Sequence, residues 1–366
     1  MISYCKKCWT PSTRPRITFN EEGICNACQW GEAKKSVNWR GRQHQFQKIC
    51  DFHVFRQVLV PWSGGKDSIY VAYKMRELGL NPTLITVIPH METEVGKWNR
   101  QNMCKDFEKI EIILKPDKYA DLAKKYFIEQ GRPKHPWETA ISAAVINWAY
   151  NNGYRLIVYG EEGEAEYGGV SHELQNWAEK VNKKYLMKYY WQGHLDWEIP
   201  DDMDNIFFTQ WSRFENWSPD KHAHFAVAKG MRTEPIRNMG TFSSTAQLSD
   251  RMQDLHTYLM FLKFGFGRCT SDVSIGIREG WITREQGLDW IKAYDGEFLP
   301  RSETNRPTYY KDEESYIGEF LNYFKMSREE FSQVLAKHVN KELLVQKNDI
   351  MWVLKPEVEE IRNASR

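Results

Sequence analysis

Ser63-Gly64-Gly65-Lys66-Asp67-Ser68 stands between the apolar run Val58 to Trp62 and a helical pattern from Ile69 to Leu78, and this junction limits the folds open to the chain more than any other segment. The apolar, β-branched run reads as a strand. Two glycines flanked by hydroxyls let the backbone curl at its end and present N–H groups, and the following helix aims the positive end of its dipole at the turn. Ser63, Gly64, Gly65, Asp67 and Ser68 are therefore candidate phosphate-holding residues, and Lys66 and Asp67 are the charged candidates for chemistry. The competing reading is a tight turn with Asp67 and Ser68 as ordinary helix caps, which needs neither paired glycines nor flanking hydroxyls. The common phosphate loop G-x-x-x-x-G-K-[ST] does not fit, because it requires Gly at Val60 and Ser or Thr at Asp67.

From this junction a β/α rhythm runs on. Thr83 to Ile88 reads as a strand, Lys97 to Phe107 as a helix, Ile110 to Leu114 as a strand, Lys118 to Gln130 and Pro136 to Asn151 as helices, and Arg155 to Tyr159 as a strand. Such alternation predicts an α/β fold with a doubly wound, mainly parallel sheet, in which ligands bind at the carboxyl ends of strands. Gly160-Glu161-Glu162-Gly163-Glu164-Ala165-Glu166 lies at one such end. Carboxylates beside a phosphate cradle call for a cation, which makes Gly160, Glu161 and Glu164 candidates for nucleotide and Mg²⁺ binding; a solvated acidic loop is the alternative. Ser36 to Phe52 reads as a linker or irregular helix. Beyond Phe225 the rhythm fades into amphipathic helices, Ser249 to Phe264 and Thr283 to Tyr294 among them, and the remainder to Glu360 reads as further helices. Three regions are expected: a knuckle over 1–35, an α/β domain over 53–225 and a mainly helical region over 226–366. The many aromatics, dense from Tyr185 to Phe225, read chiefly as core.

Four of seven cysteines form Cys5-x2-Cys8 and Cys25-x2-Cys28. Each C-x-x-C hook offers two thiolates to one tetrahedral ion, so a closed, structural Zn²⁺ site is expected; two disulfides are the alternative. Cys50, Cys104 and Cys269 are isolated and read as small buried hydrophobes. Fifty basic residues against 49 acidic leave a net charge of +1 without a basic stripe, which argues against a dedicated nucleic-acid binder. No apolar stretch reaches the length of a membrane span, and the first residues lack the apolar core of a signal peptide, so a cytoplasmic protein is expected.

One further segment stands out, Leu262-Lys263-Phe264-Gly265-Phe266-Gly267-Arg268-Cys269-Thr270-Ser271-Asp272. Its two glycines, bracketed by Lys263 and Arg268, can bring backbone and two cations close to an anion; the alternative is a helix C-cap with basic residues at the negative end of the dipole.

Ser63 to Ser68 resembles the SGG-x-DS loop of the ATP pyrophosphatases, the PP-loop superfamily of adenine nucleotide alpha hydrolase fold, which cut ATP between the α and β phosphates. Gly160 to Gly169 is similar to a loop of the asparagine synthetases in that superfamily, with Glu164 replacing a spacer and Glu166 an acid. The knuckle, the loop, Gly96 and Asn99 in Thr93 to Asn99, and Lys263 to Asp272 followed by Ile277-Arg278-x-Gly280 and Thr283-Arg284-Glu285 together resemble the N-acetyl sugar amidotransferases of surface-polysaccharide and nonulosonate biosynthesis. That resemblance, from Cys5 to about Asp295, implies conversion of a sugar's acetamido group into an acetamidino group, with ATP and Mg²⁺ consumed as MgATP and ammonia incorporated. It implies roles for Lys66, Asp67, Lys263 and Arg268. Where the family has paired acids this chain reads Ser249-Asp250, which leaves Asp250 alone for that role.

The chemistry agrees with the residues. An amide oxygen attacking the α-phosphate gives an O-adenylated imidate and pyrophosphate, and ammonia then displaces AMP. A glutaminase needs an activated Cys at an exposed mature N-terminus or in a G-x-C-x-G elbow, and neither pattern occurs. A separate glutaminase subunit of the kind serving imidazole-glycerol-phosphate synthase is therefore expected, with a cyclase-like barrel subunit as a further partner, and with an N-acetylated sugar or nucleotide sugar as substrate. Two other readings compete: a tRNA-thiolating PP-loop enzyme, which the even charge disfavours, and a non-catalytic zinc scaffold, which the complete loop disfavours.

Overall fold

The structure is a computed structural model of the 366-residue chain and describes residues 2–160, 167, 179–180, 196–197, 205–299 and 313–365. Its centre is a six-stranded sheet. In chain order the strands are β1 (Gln57–Pro61), β2 (Asn81–Val87), β3 (Glu108–Ile112), β4 (Leu156–Tyr159), β5 (Glu179–Lys180) and β6 (Phe207–Gln210), and their spatial order is β3-β2-β1-β4-β6-β5. All neighbours run parallel except β5 against β6. Val58, Leu59 and Val60 are buried on both faces, as a central parallel strand requires, while β3 presents Glu and Lys along an exposed edge. The chain winds outward from β1 to β3 and then returns to β4 on the other side of β1. The switch point therefore lies between β1 and β4, where a doubly wound sheet opens a crevice for ligands.

Helix α1 (Asn26–Ala33) starts within the second cysteine hook, and longer helices cover both faces of the sheet. On one, α2 (Trp39–Phe52), α3 (Lys66–Glu77) and α7 (Pro219–Ala228) bury Phe46, Ile69, Ala72 and Ala226 against Val58, Val60 and Trp211. On the other, α6 (His135–Asn151) buries Ala143, Ile146 and Ala149 against Leu59, Ile85 and Ile157. One expectation is corrected here. Trp39–Phe52 is a regular helix rather than a linker or an irregular one, because Asn38 caps it and Phe46 and Cys50 are buried. The strand β6 and helix α7 extend the β/α rhythm through a stretch where the density of aromatics hides the pattern.

α4 (Glu94–Asn102) begins three residues earlier than the sequence pattern predicts, because the Thr93 hydroxyl accepts the Gly96 N–H at 2.9 Å. α5 (Pro116–Gln130) follows β3 and packs against the C-terminal region. That region holds α8 (Met252–Phe264), α9 (Arg268–Glu279), α10 (Arg284–Tyr294), α11 (Glu313–Phe324), α12 (Arg328–Lys337) and α13 (Pro356–Ala364). The region is mainly helical, as expected, and within it β7 (Leu344–Gln346) and β8 (Trp352–Leu354) pair as an antiparallel hairpin that buries Leu344, Trp352 and Leu354. Its apolar core also takes in Ile2, Tyr4 and Trp9 from the N-terminus and Phe127 from α5. No helix among the described residues is long and apolar enough to cross a membrane.

Candidate functional site

At the switch point β1 ends and Gly65 caps α3. Gly64 adopts φ +73°, and a Cβ there would lie 2.6 Å from the Arg100 backbone nitrogen, so only glycine lets the loop pass under α4. The loop closes on its own hydroxyls: Ser63 Oγ lies 3.3 Å from Ser68 Oγ, the Gly65 N–H donates to Ser63 Oγ at 3.3 Å, and the Ser63 N–H reaches Ser68 Oγ at 3.4 Å. These contacts are long, and an anion's oxygens can replace them without breaking a strong bond. Ser68 Oγ also donates to the Gly65 carbonyl at 3.0 Å.

The charged residues of the loop are held from outside it. Lys66 Nζ pairs with Asp67 Oδ2, and the other carboxylate oxygen takes a 2.9 Å hydrogen bond from His222 Nδ1 on α7. Burial opposes ionisation of Asp67, but the Lys66 ammonium and the His222 contact outweigh it and hold the carboxyl below its usual range. His222 is fully buried, stacked 4.1 Å from Tyr70 and edge-on to Trp217 at 4.2 Å. Glu215 fixes this aromatic set by accepting from Tyr70 Oη and, at 2.7 Å, from Trp211 Nε1. A lone His inside an amphipathic helix carries no sequence signal, which is why His222 escapes a reading of the sequence. Gly160, at the end of β4, closes the other side of the crevice: a Cβ there would meet Trp217 at 3.1 Å and Asp67 Cβ at 3.7 Å. Glu161 and Glu164 lie outside the described residues.

The structure sends the two cations of the Lys263 to Asp272 segment in different directions. Gly265, at φ +72°, ends α8, so a helix cap is part of this segment's function. Lys263 Nζ donates to the carbonyls of Gln130 (2.6 Å) and Gly131 (2.9 Å) at the C-terminus of α5, and burial pushes its pKa down to about 8. Arg268, at the start of α9, pairs with Asp272 at 2.8 Å, and Thr241 Oγ1 donates to Asp272 at 2.7 Å. Arg268, Asp272 and Lys66 all line one cavity of about 640 Å³, together with Ser243, Thr245 and Trp281. Asp250 is elsewhere. It is 3% exposed, accepts the Met252 N–H at 3.0 Å and sits 3.8 Å from Lys134 in a separate small cavity with His90 and Tyr323; burial raises its pKa. Gly96 and Asn99 serve packing: a Cβ at Gly96 would strike Ser249, and the Asn99 amide bonds the Arg232 backbone both ways, at 2.9 and 2.8 Å.

The four thiols of Cys5, Cys8, Cys25 and Cys28 are buried and lie within 4.8 Å of one another. Cys8 and Cys25 sulfurs are 3.6 Å apart and those of Cys5 and Cys28 3.9 Å. A tetrahedral zinc with bonds of about 2.3 Å sets its sulfurs about 3.8 Å apart, so the cluster fits the ion and not a pair of disulfides. Backbone N–H groups of Lys7 and Cys25 point at Cys5 Sγ, at 3.4 and 3.3 Å. The knuckle is seated on the C-terminal helices: Ser274 donates to the Cys8 carbonyl at 2.6 Å, Arg284 to the Cys5 carbonyl at 2.9 Å, and Arg14 to Ser271 at 3.1 Å.

The geometry defines a class: a doubly wound α/β protein with a glycine- and hydroxyl-rich loop at its switch point, beside a cavity whose lining the C-terminal region completes. Residues 211–358, which carry His222, Arg268 and Asp272, match the family model described as LPS biosynthesis protein WbpG-like, C-terminal domain. No curated protein matches the chain in sequence. Among solved structures it is similar to NMN synthetase from Francisella tularensis (12% identity, TM-score 0.35, 66% of this chain and 90% of that one). It is also similar to a predicted subunit of tRNA methyltransferase from Methanocaldococcus jannaschii DSM (20%, 0.31, 47% and 76%). A third is the NH3-dependent NAD synthetase from Campylobacter jejuni subsp. jejuni NCTC 11168 in complex with the nitrate ion (17%, 0.29, 38% and 65%).

Proposed function

We propose that the protein is an ATP-dependent amidotransferase of surface-polysaccharide biosynthesis that turns an N-acetyl group of a sugar into an acetamidino group. The observation that carries this reading is the shared cavity, where Lys66 of the anion-holding loop meets Arg268 and Asp272 from the lipopolysaccharide-family segment. One wall suits a nucleotide's phosphates and the other an acceptor. In this reading the loop's N–H groups and the hydroxyls of Ser63 and Ser68 turn from one another to the leaving pyrophosphate, helped by the positive end of α3. Lys66 adds charge beside them, and Asp67 and His222 set the direction of its ammonium. Arg268, fixed by Asp272, faces the activated acceptor. No covalent nucleophile is required, because the acceptor's own amide oxygen attacks phosphorus.

Ammonia for the second step comes, in this reading, from a partner glutaminase that docks on the protein. Attack requires neutral NH₃, which a shielded path between two docked subunits preserves. The test is mass spectrometry of N-acetyl sugars incubated with the protein, MgATP and ammonium. Replacement of one oxygen by NH, with AMP and pyrophosphate released, is the expected product. Ser63→Ala is expected to lower turnover by about 10²-fold. A wild-type rate in that variant, or ADP in place of AMP, would overturn the reading. Glutamine-dependent turnover by the chain alone would exclude the partner.

A further inference from the structure

The cavity that Lys66 enters has a wall whose chemistry is legible. Trp281 follows Gly280, the left-handed residue that ends α9, and its indole lies across that helix where Gly276 has no side chain: a Cβ there would sit 3.1 Å from the ring. The Trp281 backbone N–H donates to the Gly276 carbonyl at 3.1 Å, its indole N–H donates to Glu279 Oε2 at 3.4 Å, and the Phe242 ring stands beside the indole at 6.0 Å, itself stacked on Trp290 at 4.3 Å. The indole is thus fixed from below and from one side, yet Trp281 is 43% exposed and lines the cavity. The other described tryptophans with large buried rings, such as Trp9, Trp211 and Trp217, are spent on the core.

Hydroxyls line the same cavity as this ring. Ser243 Oγ and Thr245 Oγ1 are 3.1 Å apart and half-buried, and both residues line the same cavity. Arg268 adds a cation whose direction is set by Asp272, itself held by Thr241. A fixed aromatic face, a pair of hydroxyls that can each donate or accept, and a fixed cation suit a ring with one apolar C–H face, hydroxyls at its edge and an anionic substituent. The slightly positive C–H groups of such a face are drawn to the negative face of an indole.

We infer that Trp281 is the platform on which the pyranose ring of the acceptor stacks, with Ser243 and Thr245 facing its hydroxyls and Arg268 its anionic group. This rests on the reading of the cavity as the acceptor site and adds the residues that select a sugar there. Trp281 is a positioning residue: it sets where the N-acetyl group falls relative to the loop and takes no part in bond making.

The test is calorimetric titration of wild type, Trp281→Ala and Trp281→Phe, each saturated with a non-hydrolysable ATP analogue. UDP-N-acetylglucosamine and N-acetylneuraminate are the two probes, offering the anion as phosphate or as carboxylate. Loss of the indole is expected to weaken the probe that binds by about tenfold or more, with the phenylalanine variant in between, and to leave affinity for the ATP analogue unchanged. Equal sugar affinity in Trp281→Ala, loss of nucleotide affinity instead, or binding of neither probe by wild type would overturn the platform. The amidotransferase reading is tested apart from it. Trp281-dependent sugar binding without amidine product sinks the reaction and keeps the platform; product formation with an unchanged KM in Trp281→Ala does the reverse.

Discussion

Stripping the metal from the cysteine cluster should disturb the cavity wall, not only the first thirty residues. The knuckle and the helices α9 and α10 are joined by short bonds: Ser274 to the Cys8 carbonyl (2.6 Å), Thr10 to Ser274 (3.1 Å), Arg14 to Ser271 (3.1 Å), Arg284 to the Cys5 carbonyl (2.9 Å) and the Trp9 indole to the Arg284 carbonyl (2.8 Å). The Arg284 guanidinium also lies 3.6 Å over the Trp9 ring. At about 1 kcal/mol net for each bond, the seam contributes on the order of 5 kcal/mol, a large part of a domain's whole stability. A structural zinc supplies more than that to the folding of its module, so losing the ion removes the template on which the seam is built. The assay is amide hydrogen exchange before and after treatment with a zinc chelator, with Cys25→Ser as a second route to the same state. Protection across Arg268–Glu279 and Arg284–Tyr294 is expected to fall by about 10³-fold, since each 1.4 kcal/mol is worth tenfold. Exchange that rises only in residues 2–33 while α9 stays protected would refute the coupling, and absence of zinc from the intact protein would refute the metal.

Three further outcomes are expected. Gly64→Ala sets a methyl 2.6 Å from the Arg100 backbone at φ +73° and should cost about 2 kcal/mol or more in chemical denaturation, whereas Gly79→Ala, at φ +81° with nothing within 4 Å, should cost only the 1 to 2 kcal/mol of left-handed strain; equal losses would show that α4 does not press on the loop. His222→Phe keeps a ring between Tyr70 and Trp217 but removes the bond to Asp67, so turnover should fall about 10- to 100-fold with little change in melting temperature, and an unchanged rate would leave Lys66 alone in control of that carboxylate. Glu234 is 2% exposed, and burial raises its carboxyl to about 7. The unfolded chain releases that proton near pH 4.5 and the folded chain near 7, so the folded state loses stability as pH rises through this window. Glu234→Gln should therefore raise the melting temperature at pH 8 and leave it nearly unchanged at pH 4; an equal gain at both would point to packing rather than charge.

Most of the sheet was legible in the sequence because its central strands are short, apolar and bounded by turn residues, so that Val58 to Trp62 and Arg155 to Tyr159 are displaced from the observed strands by a residue at most. What escaped has physical reasons. Phe207–Gln210 is a strand in a stretch so aromatic that no alternation stands out, and Trp352–Leu354 is too short to carry a period. Within the site, local chemistry was legible and long-range pairing was not. The turn at Ser63 to Ser68 is legible because the glycines that let it curl are adjacent in the chain: Gly64 takes φ +73° and Gly65 caps α3. His222 lies 155 positions from Asp67 in the chain, and only the packing of α7 on α3 brings them together. Spacing likewise could not separate Lys263 from Arg268, since the left-handed Gly265 turns the chain between them and sends one cation to cap α5 and the other to the cavity.

That divergence explains why a structural and a functional reading of the same segment both have force. A helix end that caps and a helix start that presents a charge are built from the same residue types, glycine beside Lys or Arg, and differ only in what lies beyond the turn. At α8 it is the carbonyl end of α5, which accepts Lys263; at α9 it is a cavity of some 640 Å³ that Arg268 and Lys66 both line. The first contact ties the C-terminus of α5 to α8, and the second leaves Arg268 at the cavity. Lys263→Met should therefore loosen the junction of α5 with α8, read as faster amide exchange over Pro116–Gln130 and Met252–Phe264, without removing any group from the cavity's lining; unchanged protection there would refute the clamp.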